Sequence, residues 1–309
     1  MAYPNSAAPR PSVMSPGVRR VTFTTGSVPV TGLLGEPVRG PSRALVVALH
    51  GGGMNAGYFD GQAHPDVSLL TLGPRLGYTV LALDRPGYGP YAQQRPDGLT
   101  VTEQVDDIAS ALEDFSRPGE FTNRHGEGGG VLLLGHSFGG KLALAVAANR
   151  PPRDLLGVDV SGVGRHLDVP PERAGLRSGF GTRRLNWGPL GLYPPGTFRA
   201  SESVVASMPR REMDSVGDWT AVSADVLPRV RVPVRFTFAE HEAWWRHGPD
   251  DVADLVEALA GAPRVVVDRL PRSGHNISLG WAARAYHLRA LAFLEECRGA
   301  DGARGDGHL

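Results

Sequence analysis

The sequence predicts an α/β fold in which a mostly parallel sheet is flanked by helices on both faces. Short apolar runs alternate with segments of helical periodicity along most of the 309-residue chain, an order typical of strand–helix units around a parallel sheet. Two of these runs, residues 44–49 and 131–134, are apolar at every position, as strands covered on both faces are. With 41% hydrophobic residues, a chain of this length can bury a large core without a disulfide or a metal.

The individual elements follow from periodicity and turn residues. Val101–Phe115 carries apolar side chains at helical spacing, and Thr100 or Thr102 could cap this helix. Gly26 and Ser27 lie between the first two apolar runs and predict a hairpin turn. The predicted strands cover residues 20–25, 28–34, 44–49, 78–83, 131–134, 155–160, 234–239 and 265–268, and the predicted helices cover residues 101–115, 141–148, 250–260 and 280–296.

One long stretch interrupts the alternation and divides the predicted core. Residues 161–228 are rich in Arg, Gly and Pro and far exceed an ordinary connection, so we interpret them as a lid or cap inserted into a core of residues 20–160 and 229–297. The alternative is a surface excursion without a role. The Pro-rich residues 1–19 predict a disordered arm, and residues 298–309 predict a frayed tail.

Charge and cysteine content exclude several classes of protein. The chain has 32 basic and 32 acidic side chains, and this balance gives no indication of a nucleic-acid or membrane partner. Cys297 is the single cysteine, and no Cys/His spacing indicates a metal site. No apolar run approaches the roughly 18 residues that a membrane span needs. We therefore predict a soluble, cytoplasmic protein of undetermined oligomeric state.

A Gly-x-Ser-x-Gly sequence at residues 135–139 predicts a nucleophilic serine, Ser137. The apolar run VLLL directly precedes it and a helical pattern follows, which is the strand–turn–helix setting that such a serine needs. The flanking glycines leave room for close backbone packing, and the helix that begins there points its positive end at a developing oxyanion. The alternative is an ordinary Gly-Ser loop.

A serine hydroxyl requires a base, and the base requires a carboxylate to fix its tautomer. His275 is the predicted base because it lies just past the last strand, in a loop before the final helix. Glu242 is the predicted acid, and Glu240 and Asp159 are the alternatives. Glu240 and Glu242 both follow the strand at residues 234–239, so the sequence alone does not separate them.

The remaining site predictions concern backbone donors and the pocket wall. Residues 50–53, His-Gly-Gly-Gly, follow a strand, so their backbone can approach a substrate closely. We predict an oxyanion hole made by the N–H groups of Gly52 and Phe138. The predicted substrate-binding residues are Gly53, His136, Trp187 and Trp244.

Five motifs together resemble the α/β-hydrolase superfamily over residues 21–296. They are LHGGG at 49–53, DRPGYG at 84–89, GHSFGG at 135–140, AEHE at 239–242 and SGHN at 273–276. The resemblance implies an eight-stranded sheet, a Ser–acid–His triad, no cofactor, and hydrolysis of an ester or thioester. Two points are specific to this chain: Glu stands at 242 where Asp is usual, and Ser at 137 argues against the branches that use an aspartate nucleophile.

The residues leave the substrate and the outcome of the reaction open. Residues 165–211 contain eight arginines against three carboxylates, an excess of five positive charges. This excess could attract an acyl substrate bound to a coenzyme or a carrier protein, or it could be a solvated surface. An acyltransferase or cyclase could use the same triad, and a non-catalytic ligand-binding protein could have the same fold.

Overall fold

The structure is a computed structural model that describes residues 13–24, 28–117, 129–169 and 180–305, without the side chains of residues 180–183 and 301–305. Eight strands form one sheet in the order β1-β2-β4-β3-β5-β6-β7-β8. Every neighbouring pair from β4 to β8 is parallel, and β2 is antiparallel to both β1 and β4. The strands are β1 (Val18–Phe23), β2 (Val30–Gly35), β3 (Leu45–Leu49), β4 (Thr79–Leu83), β5 (Val131–His136), β6 (Leu155–Ser161), β7 (Val234–His241) and β8 (Val265–Gly274).

Helices cover both faces of the sheet, so the predicted fold class is confirmed. The α-helices of the described residues are α1 (Leu69–Arg75), α2 (Val101–Phe115), α3 (Phe138–Asn149), α4 (Phe180–Trp187), α5 (Thr197–Ala200), α6 (Arg210–Asp214), α7 (Trp219–Val226), α8 (Pro249–Ala258) and α9 (Ala283–Gly305). Neighbouring residues of a strand point to opposite faces. Val47 therefore packs in one core cluster with Ile108 of α2 and Leu142 of α3, while Val46 packs in the other with Leu69 of α1 and Leu294 of α9.

Most element boundaries differ from the predicted ones by a few residues, and three of these differences concern β8, α3 and α9. β8 continues to Gly274 rather than ending at 268, because its pairing with β7 extends past a register shift to the His241–Gly274 pair. α3 begins at Phe138, directly after Ser137, although Gly139 and Gly140 predict a poor helix start. α9 extends to Gly305, so residues 298–305 of the predicted frayed tail are helical. An Arg298–Glu295 ion pair, one turn apart, supports this continuation.

Part of the predicted disordered arm, residues 1–19, is hydrogen-bonded to the core. Residues 1–12 lie outside the described residues, but Ser15 N donates to Asp60 Oδ2 and Gln62 Nε2 donates to Ser15 Oγ. These bonds attach the chain to the core before β1 begins at Val18. The predicted hairpin turn at Gly26 and Ser27 also lies outside the described residues, although β1 and β2 pair as expected.

The chain between β6 and β7, which we call the β6–β7 segment (residues 162–233), contains helices α4 to α7. Single backbone bridges join Val205 of this segment to Met54 and Leu167 to Trp245. Leu192 O also accepts from Trp281 N, and Asn186 O accepts from Asn276 N. The segment is thus attached to the loops at the carboxyl edge of the sheet on several sides.

Candidate active site

Ser137 occupies a strained turn between β5 and α3. Its backbone has φ 51° and ψ −119°, a conformation that a side chain other than Gly rarely adopts and that costs on the order of 1–3 kcal/mol. Ser137 N donates to Ser161 O at the end of β6, and Ser137 O accepts from the N–H groups of Gly140 and Lys141. The surrounding hydrogen bonds therefore hold the strained residue at the carboxyl edge of the sheet.

The glycines of the turn are required by packing. A Cβ at Gly135 would lie 2.5 Å from Gly139 O, and a Cβ at Gly139 would lie 2.1 Å from Leu49 O. Both contacts are with backbone, which cannot move aside cheaply. The first turn of α3 is consequently pressed against the end of β3, where the His-Gly-Gly-Gly loop begins.

His275 and Glu242 form a buried pair beside this turn. His275 Nδ1 lies 3.0 Å from Glu242 Oε1 and 2.8 Å from Oε2. Glu242 Oε1 also accepts the N–H groups of Ala243 and Trp244, which fixes the carboxylate in place. A carboxylate at Nδ1 keeps the proton on that nitrogen and leaves Nε2 free to act as a base.

The two alternative acids are occupied elsewhere. Glu240 is exposed, and its Oε2 accepts from Arg272 N. Asp159 is buried inside the sheet, where its carboxylate accepts from Arg235 Nη1 and from the Tyr286 hydroxyl. A register shift in the pairing of β7 with β8 between Ala239 and His241 explains why Glu240 and Glu242 point to different neighbours. The structure thus brings only Glu242, of the three, to His275.

Two backbone donors are available beside Ser137. Among the described residues, neither the Gly52 N–H nor the Phe138 N–H has a hydrogen-bond acceptor, and both residues line the cleft that contains Ser137. The Gly53 N–H donates to the Tyr88 hydroxyl at 2.9 Å, and a substrate-binding role for Gly53 stays a prediction. Gly53 borders the cleft, but its amide is already committed.

A buried ion pair that the sequence did not predict supports the His-Gly-Gly-Gly loop. Arg85 donates to both carboxylate oxygens of Glu212, at 2.5 and 2.9 Å, and both side chains are fully buried. Arg85 also donates to the backbone oxygens of His50 and Gly51. Burial works against the charge of Arg85, but Glu212 outweighs it and raises the pKa of the guanidinium. The available signal was the DRPGYG motif, which supplies Arg85 and Tyr88.

The Tyr88 hydroxyl completes this network. It donates to Glu212 Oε1 at 2.5 Å while accepting from Gly53 N. Because Glu212 belongs to α6, a carboxylate of the β6–β7 segment is connected through one tyrosine to the loop that carries the Gly52 donor. The position of that loop therefore depends on the docking of α6.

The other predicted substrate-binding side chains all border the cleft. His136 is nevertheless buried: its ring stacks on Tyr58 and lies 4.8 Å from the His275 ring, and its Nδ1 lies 3.1 Å from Ser161 Oγ. Burial, reinforced by the nearby His275, lowers the pKa of His136, so the ring is neutral. We expect it to support His275 rather than to bind substrate.

Trp187 and Trp244 form part of the cleft wall. Trp244 Nε1 donates to Asn186 Oδ1, and its ring lies 6.4 Å from that of His275. Trp187 packs against Tyr193 and Phe198 in the β6–β7 segment. The cleft has a volume of about 1980 Å³, above the roughly 300–1,000 Å³ of typical small-molecule sites.

The predicted positive surface of residues 165–211 is partly neutralised. Arg165 pairs with Asp254 of α8, and Arg211 pairs with Glu103 of α2. Arg173 and Arg177 lie outside the described residues. Attraction of a carrier-bound substrate by this surface stays a prediction. In the described part of the chain, no cluster of three His, Cys, Asp or Glu side chains could hold a metal ion.

Comparisons with known proteins agree with the fold described above. The model of the alpha/beta hydrolase family matches residues 46–287, and no curated protein sequence matches significantly. A soluble variant of monoglyceride lipase from Saccharomyces cerevisiae is 15% identical with a TM-score of 0.66, over 96% of this chain and 99% of that one. A monoacylglycerol lipase from Paleococcus ferrophilus is 20% identical with a TM-score of 0.62, over 91% and 98%. A variant of an N-acyl homoserine lactonase is 15% identical with a TM-score of 0.61, over 91% and 97%. At such identities the likeness concerns the fold.

Proposed function

This chain belongs to the alpha/beta hydrolase family, and from this premise we propose that it is a serine hydrolase that cleaves an ester or thioester through an acyl-enzyme. The observation that carries the proposal is the His275–Glu242 pair, 2.8 Å apart, in the same cleft as the strained Ser137 turn. Lipases, an esterase and a lactonase among the similar structures support an acyl substrate.

In the proposed reaction Ser137 Oγ attacks the acyl carbon while His275 Nε2 takes the hydroxyl proton. Glu242 holds the Nδ1–H and stabilises the imidazolium that forms. The N–H groups of Gly52 and Phe138 stabilise the negative oxygen of the tetrahedral intermediate. His275 then gives its proton to the leaving alcohol or thiol, and the acyl group stays on Ser137. Water, deprotonated by His275, releases the acid and restores the serine.

These groups supply the whole reaction, so the proposal includes no cofactor and takes water as the acceptor. We propose a small acyl compound as the substrate, and an alcohol could replace water if the cleft admitted one. Product analysis distinguishes the two acceptors: the free acid alone is expected for hydrolysis, and a new ester formed with an added alcohol indicates acyl transfer.

In the described part of the chain, none of the helices combines the length and the apolar character that a bilayer crossing requires.

Turnover of an activated ester tests the proposal. Para-nitrophenyl butyrate should be hydrolysed by the wild-type chain, and Ser137→Ala should lose at least about a thousandfold in kcat. Ser116→Ala is the matched control, because Ser116 lies at the end of α2 and its hydroxyl donates to Leu112 O of its own helix. Equal activity of the two variants would refute Ser137 as the nucleophile.

A further inference from the structure

Lys141 is a buried cation that the proposed reaction does not use. It lies in α3 one turn after Ser137, and its N–H donates to Ser137 O. The side chain borders the cleft although the residue is only 2% exposed. Helical side chains lean toward the N-terminus of their helix, so this ammonium group is directed to the end of α3 at which Ser137 lies.

Aromatic rings form most of its surroundings. The rings of Phe138, Trp219 and Trp245 have their centroids 5.6, 5.7 and 5.0 Å from Lys141 Nζ, a cation–π distance. One backbone acceptor, Val216 O, lies 3.2 Å away. An ammonium group has three N–H donors, so Val216 leaves donor capacity for another acceptor.

Its charge has no carboxylate partner in the described part of the chain. Glu212 and Asp218 attract Lys141 only from a longer range, and Glu212 is already occupied by Arg85, Tyr88 and Gln104. Burial lowers the pKa of Lys141 to about 7 against the attraction of these two carboxylates. A buried ammonium without a counter-ion is costly, and an anion that entered from the cleft would relieve that cost.

We propose that Lys141 is a specificity-determining residue that binds a carboxylate carried by the substrate at a distance from the scissile carbonyl. A carboxylate matches the site because it supplies one negative charge and two acceptor oxygens for the donor capacity that Val216 leaves on Lys141 Nζ. Ser137 and Lys141 are four positions apart, which is about 6 Å along a helix axis. A short linker between the carboxylate and the reacting carbonyl therefore suits this spacing. The proposal rests on the proposed hydrolysis at Ser137.

Two matched pairs of esters distinguish where the carboxylate lies. Mono-para-nitrophenyl glutarate and its neutral methyl ester carry or lack a carboxylate on the acyl side. Para-acetoxybenzoate carries a carboxylate on the alcohol side, and its methyl ester lacks it. The quantity measured is the ratio of kcat/KM for the charged ester to that for its neutral partner, in the wild-type chain, in Lys141→Met and in Lys141→Arg.

For one pair of esters, we expect the charged-to-neutral ratio of kcat/KM to fall at least about tenfold in Lys141→Met. Lys141→Arg should partly recover this ratio. The pair that responds shows whether the carboxylate lies on the acyl side or the alcohol side of the substrate. A ratio that is unchanged in both pairs would overturn the proposal.

Binding of glutarate to Ser137→Ala, measured as a shift in the melting temperature, gives a readout that is independent of turnover. Adding Lys141→Met to this variant should abolish the shift. A glutarate shift that survived this second substitution would equally overturn it. If no ester were hydrolysed, the proposed function would fail, while the glutarate shift would still test Lys141.

Discussion

Two buried carboxylates each contact a basic side chain, but the two pairs differ in the base. Glu242 contacts His275, whose imidazole can accept a proton and return it within a reaction. Glu212 contacts Arg85, whose guanidinium stays charged. The first pair suits proton transfer during a reaction, and the second suits permanent attachment of the β6–β7 segment to the His-Gly-Gly-Gly loop. We therefore propose that a similar buried geometry serves chemistry in the first pair and architecture in the second.

The largest expected effect concerns the first pair. Glu242→Gln should lower kcat by roughly 10³–10⁴-fold, because an amide no longer fixes the proton on His275 Nδ1. Steady-state kinetics with an activated ester measure the loss. Glu240→Gln is the matched control, since Glu240 is exposed and accepts only from Arg272 N among the described residues. If both variants lost the same activity, the comparison between the pairs would fail.

Loss of the second pair, Arg85 and Glu212, should lower the stability of the protein. Glu212→Gln leaves the buried Arg85 without its counter-ion, so the free energy of unfolding should fall by roughly 3–5 kcal/mol. Urea denaturation measures the change. Glu103→Gln also removes a carboxylate that pairs with an arginine, but the Glu103–Arg211 pair is exposed, and its loss should cost less than about 1 kcal/mol. Similar losses in the two variants would contradict the structural role of Glu212.

Lys141 sharpens the comparison because it is a buried base with no carboxylate in contact among the described residues. Its folded-state pKa of about 7 lies below the ordinary 10.5, so the unfolded chain binds the extra proton between these values. The free energy of unfolding should therefore rise with pH across this window. Without ligand, Lys141→Met should stabilise the fold by roughly 2–4 kcal/mol at pH 6, with the advantage shrinking toward pH 10. Urea denaturation at several pH values tests this, and an advantage independent of pH would contradict it.

The smallest expected effect concerns the hydroxyl that links Glu212 to the His-Gly-Gly-Gly loop. Tyr88→Phe leaves the Gly53 N–H without its acceptor and should cost roughly 1–2 kcal/mol of unfolding free energy. We also expect a several-fold lower kcat, because the neighbouring Gly52 donor loses support. Tyr91→Phe, a partly exposed tyrosine of the same region, is the control. A Tyr88→Phe chain as stable and active as Tyr91→Phe would remove this link from the account.

Local patterns in the sequence were sufficient to predict the fold class and the strand–turn–helix turn that contains Ser137. Ser137 lies in a motif bounded by an apolar strand and a helix, and both elements form, although the helix begins three residues before the predicted residue 141. The choice between Glu240 and Glu242 depended on the irregular pairing at the end of β7, which no periodicity reveals. The assignment of catalytic roles to these residues stays a prediction.

Contacts between distant parts of the chain were not predictable. Arg85 and Glu212 are 127 positions apart, and Glu212 lies in a segment without clear periodicity. Lys141 has the pattern of an ordinary helical residue, and its burial became evident only when Trp219 and Trp245 were seen beside it. Such pairs depend on how the β6–β7 segment docks, and the sequence carries no local signal of that docking.

The central claim, that Ser137 is the nucleophile, is tested most directly by covalent labelling. A fluorophosphonate reacts with an activated serine and leaves a stable adduct, which peptide mass spectrometry locates. We predict one adduct per chain, on the peptide that contains Ser137, and none in Ser137→Ala. An adduct on another serine, or labelling that survives in Ser137→Ala, would contradict the claim.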